Sequence, residues 1–600
     1  MSRFDFVISI ATVNGTGSQS ANNILLRSLF RMGVPVGGKN VFPSNIAGLP
    51  TWFWIRANQK GFVGQAKKAD ICVNLNPTTL YQDMQSLNEG GFFFYNSDSI
   101  LDNSKVPTGI KLVPVPFKKL SEEASTSVKT RKLLINMVYV GILSQLLKLE
   151  NEVVKACIKD QLGYKESVFE SNLKAFEIGQ TFAQENLMNI GFDFESHSAG
   201  SIENKIIIDG NTAAALGCIA GGCTFLSWYP ITPSSSLAEG FIKYAPQLRK
   251  TEDGKNKFGI VQSEDELAAI CMVLGAGWTG ARAMTATSGP GVSLMAEAAG
   301  FSFYAEIPAV IWDVQRSGPS TGMPTRTQQS DLLFAHFLSH GGTRHPVLLP
   351  ATVQECFEFG QTCFDLAEHL QTLVLVLSDL DLGMNLWISD EFNMSPKPYQ
   401  RGKILTSEMM DQGIYHERYK DVDGDGVPFR TLPGNPHPKA AYFTRGSGHN
   451  SKGQYTEDSE QYFEVLERLN KKWETAKTLV PKPVISHEVA TKNQDIGVLY
   501  FGSTEFVVPE ARHELKAHSI LVDTCRVKAL PFSQEVEQFL ADHKTIFVID
   551  QNKDGQMKKL LSMEFPLLAH KLQSVIHFTG TPITAENIYK PIIQKLSKEG

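Results

Sequence analysis

Six hundred residues exceed what one hydrophobic core usually supports, so three or four domains are expected. Hydrophobic residues make up 42% and charged residues 20%, the balance of an ordinary globular protein. A net charge of −6 offers no basic surface for nucleic acid. The eight cysteines form no C-x-x-C pair, and the closest two, Cys218 and Cys223, match no metal or cluster signature. Reduced thiols in a cytoplasmic protein are the expectation.

The N-terminal stretch "MSRFDFVISIATVNG" carries Asp5 inside its apolar run and shows no small-residue cleavage site, so no signal peptide is expected. Residues 1–195 open with the strand "FDFVISIATV", the loop "NGTGSQS" and the helix "ANNILLRSLFRMG". Gly15 and Gly17 fit the first two positions of a dinucleotide fingerprint, but Ser20 stands at the third and no ribose acid follows. Backbone N–H groups around Ser18 still suit a phosphate, and a purely structural turn fits equally well. A strand signal at "DICVNL" and a charged helical stretch over roughly 120–192 complete this region, and "GFDFESHSAGSIENK" reads as a linker.

From Gly210 to Ala238 no charged residue appears, a length that would span a bilayer. Gly217, Gly221, Gly222, Pro230 and Pro233 break it up, so a small-residue helix (212–221) and a strand (223–229) are predicted, with no membrane span. Over 205–395 short apolar runs alternate with helical patterns, which predicts a parallel sheet covered on both faces.

Within that region "SWYPITPSSSLAEG" takes a strand through two prolines and a serine run into a helix. Thr232 ends the first strand, Glu264 the second and Arg316 the fourth. Carboxyl-terminal strand edges form the ligand crevice of such sheets, so the three are expected to converge. Each also has a purely structural reading. Ser236 with Glu239, and Ser263 with Glu266, fit capping boxes. Glu264 and Asp265 complement a helix dipole, and Arg316 fits a loop cation.

Residues 396–485 are rich in Gly, Pro and polar side chains, which predicts a lid near the substrate mouth, with His449 and Asn450 on its rim. "DVDGDGVPFRTL" imitates a calcium loop, but Leu432 replaces the bidentate Glu. Gly424-Asp425-Gly426 with Asn450 imitates a GDG…N diphosphate–metal motif without its strand and helix. No metal ligand is therefore assigned to this chain. Over 486–600 strand signals return at "IGVLYFGS", "SILVDTCRV" and "KTIFVIDQN".

The segments "YPITPSS", "VQSEDELAA", "TATSGPGVSLMAEA" and "IPAVIWDVQRSGPSTGMPTRTQQSDLL" resemble the alpha subunit of 2-oxoacid:ferredoxin oxidoreductases, closest to the 2-oxoglutarate type with a gamma-type domain fused at the N-terminus. The resemblance extends to "FGSTEFVVPEARHEL" and "DQNKDGQM". It implies a multidomain α/β protein: a gamma-type domain (1–195), a pyrimidine-binding-type domain (205–395), a polar excursion or lid (396–485) and a transketolase C-terminal-like domain (486–600).

It also implies roles. Glu264 would hydrogen-bond the aminopyrimidine of thiamine diphosphate, with Tyr229, Pro230 and Ile231 beside the cofactor. Thr232 and Arg316 would hold the 2-oxoacid, and Arg326 is the candidate for a distal carboxylate. Gly15, Gly17 and Ser18 are candidates for coenzyme A, although "GTGSQS" is poorer than the family's GxGGQG. Mg²⁺ and a [4Fe-4S] cluster are expected on a beta subunit, in an α2β2 assembly that passes electrons to ferredoxin. The implied reaction is oxidative decarboxylation of 2-oxoglutarate to succinyl-CoA, or its reverse. Pyruvate or another 2-oxoacid, a silent scaffold chain and a transferase without redox chemistry are the alternatives.

Overall fold

The computed structural model describes residues 3–44, 48–196, 200–395, 397–414, 417–489 and 494–599. Part of the expected linker, 197–199, lies outside them. The first six strands are β1 (Phe6–Val13), β2 (Val36–Val41), β3 (Pro50–Ala57), β4 (Ala69–Asn74), β5 (Leu87–Asn96) and β6 (Lys111–Val115). Then come β7 (Lys205–Asp209), β8 (Phe225–Trp228), β9 (Gly259–Gln262), β10 (Ala283–Thr287), β11 (Ala309–Gln315), β12 (Val347–Leu348), β13 (Leu373–Asp379) and β14 (Leu386–Asp390). The last are β15 (Val484–Ser486), β16 (Ile496–Tyr500), β17 (Asp523–Arg526), β18 (Ala529–Leu530), β19 (Thr545–Asp550) and β20 (Leu572–Ile576).

They form three sheets, ordered β6-β5-β4-β1-β3-β2-β14-β7, β18-β12-β13-β11-β10-β8-β9 and β15-β17-β16-β19-β20. The middle sheet is parallel from β12 to β9, and β11 and β13 bury all seven of their residues, as a sheet covered on both faces requires. Two strands of the 205–395 region, β7 and β14, leave it and extend the N-terminal sheet through β2. Conversely β18, from the C-terminal region, closes one edge of the middle sheet against β12.

The charge-free stretch folds as the helix Gly210–Ala220 followed by β8. Its small residues have a packing reason. A Cβ at Gly217 would lie 2.1 Å from the Phe357 carbonyl oxygen, so this helix and Val353–Leu370 touch backbone to backbone. Among the described residues no helix is long and apolar enough to cross a membrane.

Chain order fixes where a crevice opens. The chain runs from β8 outward to β9, then crosses back over β8 to β10, so the winding reverses between β8 and β10. In open α/β sheets ligands bind outside the carboxyl ends at that switch point. The Tyr229–Pro233 corner leaves β8 there.

The 396–485 excursion lies at the other end of the sheet. It packs on the segments that precede strands: Arg401 Nη2 donates to the Gly280 carbonyl (2.6 Å) before β10, and Gln371, before β13, donates to the Pro428 carbonyl (2.5 Å). Before β11 the buried Glu306 carboxylate receives Arg468 and, at 2.8 Å, Lys472. The excursion therefore covers the amino edges of its own sheet and is not a lid over the carboxyl crevice. His449 is buried between the rings of Tyr304 (4.7 Å) and Tyr419 (4.1 Å), not on a rim.

Candidate active site

The corner after β8 is braced by its own hydroxyls. Ser234 Oγ and Ser235 Oγ both donate to the Ile231 carbonyl, at 3.0 and 3.2 Å. Asn211 Nδ2 donates to the Pro233 carbonyl (2.9 Å) and to Ser236 Oγ (2.8 Å), so Ser236 and Glu239 form no capping box. The end of β9 is stitched to the same corner. Ser263 N–H donates to the Trp228 carbonyl at 2.8 Å, and its hydroxyl meets Ser227 Oγ at 2.6 Å. The following helix, Glu266–Trp278, is capped by Asp265, whose Oδ1 accepts from Ala268 N–H (2.7 Å), so the Ser263–Glu266 box is not formed either.

Arg316 leaves the end of β11 buried, and its Nη1 donates to the Thr232 carbonyl at 2.8 Å. Two of the three expected residues thus touch although 84 positions separate them. Arg316 Nε is buried without a partner, which leaves donor capacity in the crevice. Burial pulls the guanidinium pKa down while nearby Asp331 opposes that shift.

Glu264 stands apart from this pair. The register Trp228↔Gln262 sets it two residues beyond β9, level with Pro230. Three strand spacings, roughly 14 Å, separate the ends of β9 and β11. Glu264 and Arg316 therefore flank the crevice, with Thr232 between them. Glu264, Tyr229 and Pro230 are exposed and Ile231 is half-buried.

The surface beside Glu264 is apolar. Helix Glu266–Trp278 holds no charged residue after Glu266 and exposes Leu267 (47%), Cys271 and Met272 (43%). A patch of this kind on a folded chain marks a contact face.

Arg326 does not join the trio. Its Nη1 donates to the carbonyls of Phe42 (3.0 Å) and Thr325 (2.9 Å), and it lines a cavity of about 800 Å³ between the N- and C-terminal sheets, with Trp52, Trp54, Lys67 and His577. A second cavity, about 480 Å³, is lined by Asn14, Gly15, Gly17, Ser18 and Asn40 and shares Trp52 with the first. Gly15 (φ 89°) and Gly17 (φ 77°) take left-handed backbone there, and Gly17 caps the helix Ser18–Arg31. The Ser18 hydroxyl is engaged with Thr12 Oγ1 at 2.8 Å. In the calcium-like loop Lys403 Nζ already sits on Asp423 (2.5 Å) and Asp425 (2.7 Å), two of its three carboxylates.

Two families match the sequence. One, described as "Pyruvate flavodoxin/ferredoxin oxidoreductase, thiamine diP-bdg", covers residues 216–441; the other, "Pyruvate ferredoxin/flavodoxin oxidoreductase", covers 7–182. The 2-oxoglutarate synthase subunit KorA of Archaeoglobus fulgidus is 31% identical over 358 residues, 59% of this chain and 89% of that protein. This chain belongs to the 2-oxoacid:ferredoxin oxidoreductase alpha-subunit family.

An alpha subunit of 2-oxoacid:ferredoxin oxidoreductase from Aeropyrum pernix is 28% identical over 637 residues, covering 96% of both chains. The fold agrees along its length with a 2-oxoglutarate:ferredoxin oxidoreductase from Magnetococcus marinus solved with 2-oxoglutarate, coenzyme A and succinyl-CoA bound. That match has a TM-score of 0.89 at 28% identity, over 99% of this chain and 100% of the other.

The chain is thus the alpha subunit of a thiamine-diphosphate-dependent oxidoreductase with several subunits. Its residues fit one side of that cofactor. An exposed acid stands beside an apolar surface that its own chain leaves uncovered. Among the described residues the eight cysteines are free and seven are buried, a poor set for a cluster.

Several residues that shape the site escaped the sequence reading. Asn211 braces the corner from a helix before β8. Lys39 of β2 makes a buried ion pair with Asp381 at 2.7 Å and ties the N-terminal sheet to the middle one. Asp313, an acid inside the all-buried "AVIWDVQ", carried the clearest overlooked signal.

Proposed function

We propose that this subunit serves the oxidative decarboxylation of 2-oxoglutarate with coenzyme A, giving succinyl-CoA, CO₂ and reduced ferredoxin, or the reverse carboxylation. The hydrogen bond from Arg316 to the Thr232 carbonyl at the switch-point crevice carries this reading. When bound, thiamine diphosphate supplies the carbanion-stabilising chemistry that loss of CO₂ from a 2-oxoacid requires. Glu264 would hold a proton at its carboxyl oxygen against the pyrimidine ring nitrogen, beside Tyr229, Pro230 and Ile231. The Thr232 hydroxyl would orient the 2-oxo group, and the free donors of Arg316 would bind the adjoining carboxylate.

A beta subunit would enclose Glu264 against the apolar ledge, supply Mg²⁺ and a [4Fe-4S] cluster, and build an α2β2 enzyme in the cytoplasm. The cavity at Gly15, Gly17 and Ser18 offers a helix start to coenzyme A, and Arg326, with one nitrogen on the Phe42 carbonyl, keeps further donors as the candidate for a distal carboxylate. KorA relatives and the 2-oxoglutarate-bound neighbour favour the five-carbon acid. Pyruvate is the second reading, supported by the names of both matching families. Ferredoxin reduction by the co-purified complex on 2-oxoglutarate, pyruvate and 2-oxobutyrate decides. The highest kcat/KM is expected on 2-oxoglutarate, and a preference for pyruvate would replace it.

A further inference from the structure

Behind Arg316 lie two carboxyl groups that the proposed chemistry leaves unused. Asp313 is fully buried near the end of β11, and its register partner on β10 is Thr287. Asp331 precedes the short helix Leu332–His336 at the capping position, yet its carboxylate accepts no N–H from that helix. It lies instead on the face of β11 that carries Asp313 and Gln315, level with Gly289, where it and Asp313 perturb each other. Gly289 makes room for it, since a Cβ there would come within 2.7 Å of Asp331 Oδ2.

Neither group has an ordinary donor. Both oxygens of Asp313 and Oδ2 of Asp331 are buried without an N–H or O–H partner, and among the described residues no Lys or Arg pairs with either. Two ionised carboxylates that perturb each other in a dry interior are not tenable, because desolvation and mutual repulsion both oppose it. One hydrogen between them resolves both costs. Burial raises both groups, Asp331 to about 6 and Asp313 well above the usual carboxylate range, with the neighbouring carboxylate adding to the shift of Asp313.

The pair is wired to the substrate side. Gln315, adjacent to Arg316, accepts from Asp331 N–H at its Oε1 (3.0 Å) and donates its Nε2 to the Ser378 carbonyl (3.2 Å). We propose that Asp313 and Asp331 share one proton and act as positioning residues for Arg316, Asp313 donating to the Asp331 carboxylate so that a single, already hydrogen-bonded negative charge lies behind the guanidinium. With two charges, or one uncompensated charge, Arg316 would be drawn back onto Asp331 and off the Thr232 corner. The proposal rests on Arg316 binding the 2-oxoacid carboxylate.

The test uses the assembled complex with Asp313→Asn, whose amide still donates, Asp313→Ala, which does not, and Gly289→Ala, which displaces Asp331. Infrared difference spectra of wild type against Asp313→Asn should show one protonated carboxylic-acid C=O band that persists to about pH 8, above the ordinary carboxylate range. KM for the preferred 2-oxoacid should rise about tenfold in Asp313→Ala and Gly289→Ala with kcat nearly held, and return to within about twofold of wild type in Asp313→Asn, as loss and recovery of an aligned charged hydrogen bond predict. Absence of the band overturns the shared proton, whatever the activity. An Asn variant as impaired as the Ala variant, or no change of KM in any variant, overturns the positioning role. KM is read on whichever 2-oxoacid the complex prefers, so failure of the 2-oxoglutarate reading leaves this test standing. Unfolding midpoints of the three variants separate a lost fold from a displaced arginine.

Discussion

The two ends of the middle sheet are built on opposite plans. At the amino edges the excursion closes over the strands, and several buried charges there meet opposite charges of the same chain. Arg282 pairs with Glu368 at 2.8 Å, and Glu306 takes both Arg468 and Lys472. At the carboxyl edges Glu264 is exposed, Arg316 Nε has no partner, and Leu267 and Leu294 face outward. One end is finished by its own chain, and the other is left for molecules that the chain does not contain. Local stability and function are therefore separated along the strand direction, and substitutions at the two ends should be told apart by what they damage.

The largest effect is expected at the open end. Glu264→Gln in the assembled complex should lower 2-oxoacid-dependent ferredoxin reduction by about 10² to 10⁴, the usual contribution of a positioned acid–base group. The unfolding midpoint of the chain should stay where it is. A complex with full activity would return this subunit to a scaffold.

At the closed end Glu306→Ala should cost about 3–5 kcal/mol of stability, because Arg468 and Lys472 are left buried without a counter-charge. Denaturant unfolding measures it. The same carboxyl carries a pH signature. Burial pushes its pKa up, but Arg468 and Lys472 outweigh that and hold it down at about 2, against an ordinary value of 4.5. A depressed acid stabilises above its unfolded pKa, so this contribution should be complete above about pH 4.5 and fade as the pH falls toward 2. Stability of Glu306→Gln should lack that acid limb.

Smaller changes sharpen the contrast. Arg316→Lys should raise KM for the 2-oxoacid about tenfold, since an ammonium cannot hold the Thr232 carbonyl and a planar carboxylate with one fork. Leu267→Asp should leave the chain folded and weaken capture of the partner subunit by about tenfold, read by co-purification yield, because it sets a charge on the ledge beside Glu264.

Much of the open end was legible in the sequence. Thr232 and Arg316 could be placed as strand ends because β8 and β11 are short apolar runs stopped by polar, proline- or glycine-bearing turns. Their convergence follows from parallel winding. Less visible was which partner each polar side chain would take. Ser263 reads equally well as a cap, but its hydroxyl goes to Ser227, while Asp265 does the capping. Arg326 lies in the same loop as Arg316, and only the fold shows its guanidinium turning to Phe42.

The hairpin β2–β3 was missed because "VGGKNV" has weak strand character, although "TWFWIRA" alternates strictly between buried and half-buried positions. Composition identified the excursion as polar and irregular, but nothing in a Gly- and Pro-rich segment says which edge of a sheet it will cover. That was decided by long-range ion pairs such as Glu306 with Lys472, 166 positions apart.

The most direct measurement is the structure of the assembled complex with thiamine diphosphate bound. The account predicts the Glu264 carboxylate within hydrogen-bonding distance of the pyrimidine ring, Thr232 and Arg316 facing its other end, and the Leu267 ledge covered by the second subunit. A Glu264 side chain left in open solvent, or a cofactor seated away from the β8–β10 crevice, would contradict it.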